Sequence, residues 1–233
     1  MTDEKLLDAE VAVHVRPLLA LEWKSLLEVH RAVIAALPDP RLYRDVTADY
    51  LKDHISARGK TIGAFSGENL IGYAVIRYPF SDKDNLGSDL GLSPDQLRSV
   101  AHFELSGVLP AFRGRGLQLR LNSQRMLVAE ADGFAHAAVT VAPTNSFSLH
   151  THFRCGIYGR RISVKYGGMH RLVLCRHLLQ PEPVFSNCVV YADAEDVSGI
   201  EELFEAGLWA SVATPGVPRI GFRAPMHLHI SGS

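Results

Sequence analysis

Val108-Leu109-Pro110-Ala111-Phe112-Arg113-Gly114-Arg115-Gly116-Leu117-Gln118 is the stretch whose reading decides the fold. An apolar run meets a proline, then a basic glycine turn, then a segment with helical spacing. Gly114 and Gly116 carry no side chain, so backbone can approach an anion closely there. The unpaired N–H groups that open the following helix would point at that anion with the positive end of the helix dipole. Arg113 and Arg115 add charge at the same place. Taken alone, the stretch is either a phosphate cradle or an ordinary loop before a helix, because short glycine motifs do not separate the two. A Walker phosphate loop is disfavoured, since no Gly-Lys-Ser/Thr follows.

The neighbouring segments give the turn its setting. Ala101 to Leu109 reads as the strand that feeds it. Leu117, Leu121 and Val128, with Ala131 beyond, recur at helical spacing until Gly133 stops the pattern. Ala135 to Val141 is the next strand, Pro143 breaks it, and Asn145 can cap a short helix that runs through Arg154 to Cys155-Gly156. Upstream, Lys60 to Phe65 and Asn69 to Tyr78 are apolar runs joined by Ser66-Gly67-Glu68, which suits an antiparallel hairpin and disfavours a dinucleotide-binding fold. Val11 to Arg16 reads as a first strand. Leu21 to Leu37 reads as a helix with its stripe at Trp23, Leu26, Val29, Val33 and Leu37, ended by Pro38 and Pro40, and Thr47 caps a second helix to Ala57.

Between Pro79 and Arg98 lies a polar insertion with Asp82, Asp84, Asp89 and Asp95, expected as a loop with a short helix after Ser93-Pro94. It either draws a cationic amine to a cleft or is simply a solvated loop, the reading that its turn-forming composition favours. Ile162 to Tyr166 and Arg171 to Leu178 form a last pair of strands around Gly167-Gly168. Pro181 and Pro183 then mark a boundary, which divides the chain into residues 1–178 and a C-terminal extension, 179–233. The extension has apolar segments at Cys188 to Tyr191 and Ile200 to Phe204. It is short for an independent core and is expected to pack on the main domain or on a partner subunit, as in a homodimer.

Composition sets wide bounds. The 233 residues, 47% hydrophobic and 21% charged, are ordinary for a folded protein, and a net charge of −1 gives no reason to expect a nucleic-acid partner. Any anion site must therefore be local. Cys155, Cys175 and Cys188 are odd in number and widely spaced, which reads as reduced thiols in a cytoplasmic setting. The opening MTDEKLLDAE is acidic where a secretory signal is basic and apolar. No run approaches the length of a membrane span. His150 with His152, and His227 with His229, have ligand spacing without acidic or cysteine partners, so no metal is expected.

Strand, glycine turn, helix, strand and Asn-initiated helix in this order resemble the GNAT superfamily of acetyl-CoA-dependent N-acyltransferases over roughly residues 11 to 178. Arg113-Gly114-Arg115-Gly116-Leu117-Gln118 is similar to the superfamily's Arg/Gln-x-x-Gly-x-Gly/Ala signature, with Gln118 in place of the usual small residue. Val141-Ala142-Pro143-Thr144-Asn145-Ser146-Phe147-Ser148, followed by Phe153 and Gly156, is similar to the segment beside the thiol end of the cofactor. The resemblance implies an α/β fold with a mixed, mostly antiparallel central sheet flanked by helices. It implies acetyl-CoA as cosubstrate, its pyrophosphate on Arg113, Gly114, Arg115, Gly116, Leu117 and Gln118, with Asn145 and Ser148 beside the thiol end. Pantetheine would pair with the backbone of Ser106, Gly107 and Val108, where the strand splays from its neighbour and Gly107 offers no side chain to obstruct it.

Acetyl transfer to an amine needs a proton acceptor, a polarised carbonyl and a proton for the departing thiolate. His102 and Glu104 are two residues apart on one strand face, at positions where the resemblance implies a base. Glu104 is taken as the acceptor, directly or through water, with His102 as alternative or helper. The resemblance places a tyrosine acid where this chain has His152. An imidazole near its reference pKa of about 6.5 could fill that role, or His152 is a surface helix histidine, and Tyr158 and Tyr166 are further donors. Cys155 keeps a covalent route open, although a helix end does not favour a lowered thiol pKa. The expected activity is direct acetylation of a primary amine of a small molecule or amino-acid-like acceptor. The alternatives are a noncatalytic acyl-CoA-binding or sensing module, and acetylation of a protein amine.

Overall fold

The computed structural model describes residues 12–37, 39, 43, 46–80 and 83–226. Val11, Pro38, Pro40, Asp82 and the pair His227 and His229 lie outside the described residues. Strand β1 (Val13–Pro17) leads into a 3-10 turn, Ala20–Glu22, and then helix α1 (Trp23–Ala35). The helix begins two residues later than its periodicity suggests. Glu22 is the reason: its carboxylate accepts the Leu19 N–H at 2.6 Å and pairs with Arg16 at 2.7 Å, which holds the preceding turn in its tighter form. Helix α2 (Ala48–Ser56) starts where expected, with Thr47 Oγ1 accepting the Tyr50 N–H.

The hairpin forms as read, from β2 (Gly59–Ser66) and β3 (Asn69–Arg77). In the insertion, α4 (Pro94–Leu97) has the expected Ser93 cap, completed by Gln96, and α3 (Leu86–Asp89) precedes it. Then come β4 (Val100–Val108), α5 (Leu117–Ala131), β5 (His136–Val141), α6 (Ser146–Arg154), β6 (Tyr158–Lys165) and β7 (Met169–His177). In the extension, β8 (Val184–Phe185) pairs with β12 (Pro225–Met226). The other four elements there are β9 (Val190–Asp193), α7 (Val197–Glu205), β10 (Trp209–Ala213) and β11 (Arg219–Arg223).

Ten strands make one sheet in the order β1-β2-β3-β4-β5-β7-β6-β10-β11-β9. Among the described residues only β4 and β5 run parallel. Two apolar layers cover the two faces. Leu26, Val29 and Val33 of α1 and Leu51 and Ile55 of α2 pack with Phe65, Tyr73 and Val75 on one side. Leu117, Leu121 and Ala129 of α5 pack with Ile62, Ile76 and Phe103 on the other. A fully buried leucine such as Leu26 or Leu121 contributes about 2 kcal/mol through burial alone.

The extension continues this sheet. β10 pairs with β6 through Ala210 and Gly159, and the turn after β10 returns to α6. There the Gly216 N–H donates to Ser146 Oγ at 2.9 Å and His150 Nδ1–H to the Ala213 carbonyl at 2.9 Å.

Candidate functional site

The site begins where a strand pair comes apart. β4 and β5 are paired at Val100–His136, Ala101–Ala137 and His102–Ala138, and no further. β5 keeps its antiparallel partner β7 along its whole length, so β4 is the strand that departs, and its edge from Phe103 to Val108 is left open toward the gap.

A bulge sits in the same place. Between Phe103 and Ser106 of β4 there is one residue more than between Ile76 and Ala74 of β3. Its effect is visible in packing: Phe103 belongs to the α5 side and Leu105 to the α1 side, although two residues apart in a regular strand would share a face.

The gap widens into a groove of about 1070 Å³, lined by β4, the glycine turn, β5, α6 and Pro215 of the extension. At its mouth, Gly114 and Gly116 have φ of 77° and 71°, and a Cβ on either would meet open space. Gly116 is the N-cap of α5 and supplies no side-chain acceptor, and the first turn carries no acidic residue. The N–H groups there are thus directed at the groove without a carboxylate to repel an anion. A pyrophosphate fits this cradle.

The individual residues depart from the expected picture in detail. Arg113 lines the groove while its Nε–H donates to the Val108 carbonyl at 3.1 Å, tying the turn to the end of β4. Arg115 stands over the Phe112 ring at 5.6 Å and is not part of the groove lining. Leu117 is buried and anchors α5 in the core. Gln118 turns its amide back to Ser106 Oγ, so its long side chain points along the groove floor to β4 and leaves the α5 N-terminus open. The Ser106 carbonyl accepts the Tyr43 hydroxyl at 3.1 Å.

Gly107 is glycine for another reason than ligand access. Its missing Cβ would sit 2.8 Å from Val33 Cγ1, on the α1 side, so packing forbids a side chain there. Val108 closes the strand, and the Leu109 N–H donates to the Ile71 carbonyl. Asn145 caps α6 through the Ser148 N–H at 3.1 Å, and both residues line the groove.

Glu104 and His102 meet at the end of the paired segment. The Leu86 N–H donates to His102 Nε2 at 2.9 Å, which fixes that nitrogen as an acceptor and puts the ring proton on Nδ1. Nδ1 lies 3.4 Å from Arg77 Nη1 and 3.6 Å from Glu104 Oε1, and Arg77 Nη1 approaches the same carboxylate oxygen at 3.6 Å. His102 thus lies against Glu104 with its Nε2 already occupied by the Leu86 N–H.

The insertion reaches the site through this contact. Asn85, 1% exposed, donates to the carbonyls of Phe80 and Leu97 and accepts the Gly87 N–H, which holds Leu86 against His102. Asp89 is likewise committed, to Lys165 at 2.6 Å.

His152 lines the groove, but its one ring proton is already engaged. Its Nδ1–H donates to the Ser148 carbonyl at 2.8 Å, while Nε2 is buried without a partner. Burial, with the nearby Arg125 charge, pushes its pKa down to about 4. The expectation of a partly protonated imidazole is corrected accordingly. Tyr166 is better placed than Tyr158. It lines the groove and the smaller cavity next to it, takes a left-handed φ of 51°, and shares a 2.9 Å hydrogen bond with Thr140. Tyr158 donates instead to Glu182, among Phe153 and Phe185.

One residue beneath the site was not singled out in the sequence. Arg125 of α5 is fully buried, bonded to Asn122 and to the Val75 carbonyl, with its guanidinium 4.4 Å above Phe103. Burial brings its pKa down to about 10, so it stays cationic at neutral pH. Burial also pushes the Cys155 thiol up, which leaves no thiolate for a covalent route.

No protein-family model matches the chain, and no curated protein matches it by sequence. Solved structures do match. The chain is similar to yncA from Salmonella typhimurium, solved with its cofactor acetyl-CoA, at 20% identity and TM-score 0.54, covering 76% of this chain and 99% of that one. It is similar to NAA60 of Arabidopsis thaliana in complex with acetyl-CoA, at 13% identity and TM-score 0.59, covering 71% and 98%. It is also similar to an acetyltransferase of the GNAT family from Streptococcus pneumoniae, at 15% identity and TM-score 0.52, covering 71% and 99%. With its parted parallel strands and glycine turn at the mouth of the gap, this chain has the fold of the GNAT acetyltransferases.

Proposed function

We propose that the chain is an acetyl-CoA-dependent N-acetyltransferase that acts directly on the primary amine of a small acceptor. The observation that carries this reading is the position of Glu104. It lines both the groove that ends at the glycine turn and a second cavity of about 420 Å³, so one carboxylate faces two substrate spaces. When bound, acetyl-CoA supplies an acetyl thioester. The amides of Gly114 to Leu119 would hold its pyrophosphate, and the open edge of β4 would hold its pantetheine.

The two proton transfers fall to named side chains. Glu104 takes the amine proton, directly or through one water, and His102 and Arg77 keep the carboxylate in place. The amine nitrogen bonds to the acetyl carbon as the carbon–sulfur bond breaks, and the Tyr166 hydroxyl returns a proton to the sulfur. The products are an N-acetyl amine and free CoA. The second cavity, about 420 Å³, is of a size for a small acceptor, and three free cysteines suit a reducing compartment such as the cytoplasm.

The test is thiol release from acetyl-CoA across a panel of primary amines. Turnover above hydrolysis is expected, with Glu104→Gln lowering kcat/KM by about 100-fold or more while acetyl-CoA still binds. Binding without turnover on any amine would make the chain a noncatalytic acyl-CoA-binding module.

A further inference from the structure

The second cavity is bounded by α2, the end of β3, β4, the insertion and the β6–β7 hairpin, and it carries both signs of charge. Asp53, Asp84 and Glu104 line it together with Arg58, Arg77 and Lys165. Several of these are already engaged. Lys165 pairs with Asp89 at 2.6 Å, and Glu104 faces Arg77 and His102. Arg58 is different: it is exposed at the rim, and its guanidinium makes no hydrogen bond or ion pair among the described residues. Its planar fork matches a carboxylate through two parallel N–H bonds.

His54 supplies an independent observation. It lines the cavity and is 3% exposed. Its Nδ1 lies 2.6 Å from the Tyr50 carbonyl, which can only accept, so the proton is on Nδ1 and Nε2 is a bare acceptor. That Nε2 is buried and has no partner. Burial keeps the ring neutral at neutral pH, and Glu104, Arg77 and Asp53 lie within electrostatic reach of it. An orphaned acceptor of this kind is destabilising until a donor reaches it.

We propose that this cavity receives a free amino acid, its amino group donating to His54 Nε2 and Glu104 and its carboxylate held by Arg58 with Arg77 behind. A diamine would engage Asp53 and Asp84 but bring its second charge against Arg58. A neutral amine would leave both signs of charge unanswered. The inference rests on the acetyltransferase reading only for what becomes of the amine, since recognition by Arg58 and His54 is a binding property.

The experiment titrates free amino acids, their carboxamides and α,ω-diamines into CoA-saturated protein by calorimetry, and measures CoA release from acetyl-CoA on the same panel. The favoured amino acid is expected to bind at least about tenfold more tightly than its carboxamide, the worth of one charge-assisted pair. Arg58→Gln, at an exposed position, should reduce that preference to about twofold or less. His54→Phe should weaken amino acid and carboxamide alike. Equal or tighter binding of the carboxamide or a diamine overturns the proposal. Arg58-dependent binding without acetyl transfer would leave this site standing and sink the enzymatic reading. Transfer to carboxamides and diamines with no acid preference would do the reverse, and neither binding nor transfer would overturn both.

Discussion

His152 should make the fold acid-sensitive by a calculable amount. In the unfolded chain an imidazole has its ordinary pKa of 6.5, whereas in the fold burial and Arg125 bring His152 to about 4. Above pH 6.5 neither state binds the proton, and the native state keeps its full stability. As pH falls, the unfolded chain takes up a proton that the folded chain cannot, so stability is lost through the window from 6.5 down to about 4. At about 1.4 kcal/mol per pH unit the loss reaches about 3 kcal/mol at the acid limit, most of it already present at pH 4.5.

The assay is urea unfolding at pH 7.0 and pH 4.5 of the natural chain, His152→Phe and His152→Gln. His54 and His136 are also held below their ordinary range by burial, but they are common to all three proteins and cancel in the comparison. Both variants should lose about 2–3 kcal/mol less than the natural chain between the two pH values. Phenylalanine matches the ring, and glutamine covers the case in which phenylalanine packs poorly. An identical loss in all three proteins would refute the argument that His152 stays neutral in the fold.

Gly107→Ala should destabilise the fold by about 1–3 kcal/mol, because the new methyl meets Val33 at 2.8 Å. Val33→Ala in the same chain should recover part of that loss, as read by denaturant midpoints. Asn85→Ala frees the segment that seats Leu86 against His102, so kcat should fall about tenfold or more, within the range for general-base positioning, with the KM for acetyl-CoA little changed. Tyr166→Phe removes the hydroxyl opposite Thr140 and should lower kcat by about 100-fold, with a smaller effect for an acyl donor whose leaving thiol is more acidic.

Much of the fold was legible because local signals and long-range needs agreed. The Gly67 hairpin, the Thr47 and Ser93 caps and the Asn145 start all formed where their side-chain chemistry placed them. Helix α5 was found from Leu117 and Leu121, but its inner face continues through Asn122 and Arg125, which no apolar periodicity can reveal. Gly107 was seen as important, yet its cause, the side chain of Val33, lies 74 positions away in sequence.

The site was legible as residue types and less so as roles. Two residues on one strand face gave the pairing of His102 with Glu104, but only the folded insertion shows that Leu86 occupies the histidine's basic nitrogen. His152 read as a titrating group because burial is invisible in sequence. Arg58 and His54 carry no motif at all. They become notable through the cavity that α2, the strands and the insertion make together.

The central claim is the location of acetyl-CoA, and amide hydrogen exchange with and without saturating acetyl-CoA tests it most directly. The account predicts slowed exchange in two separate segments at once, Glu104 to Val108 on the open edge of β4 and Gly114 to Leu119 at the α5 N-terminus. Protection confined to other parts of the chain, or none at saturation, would contradict it.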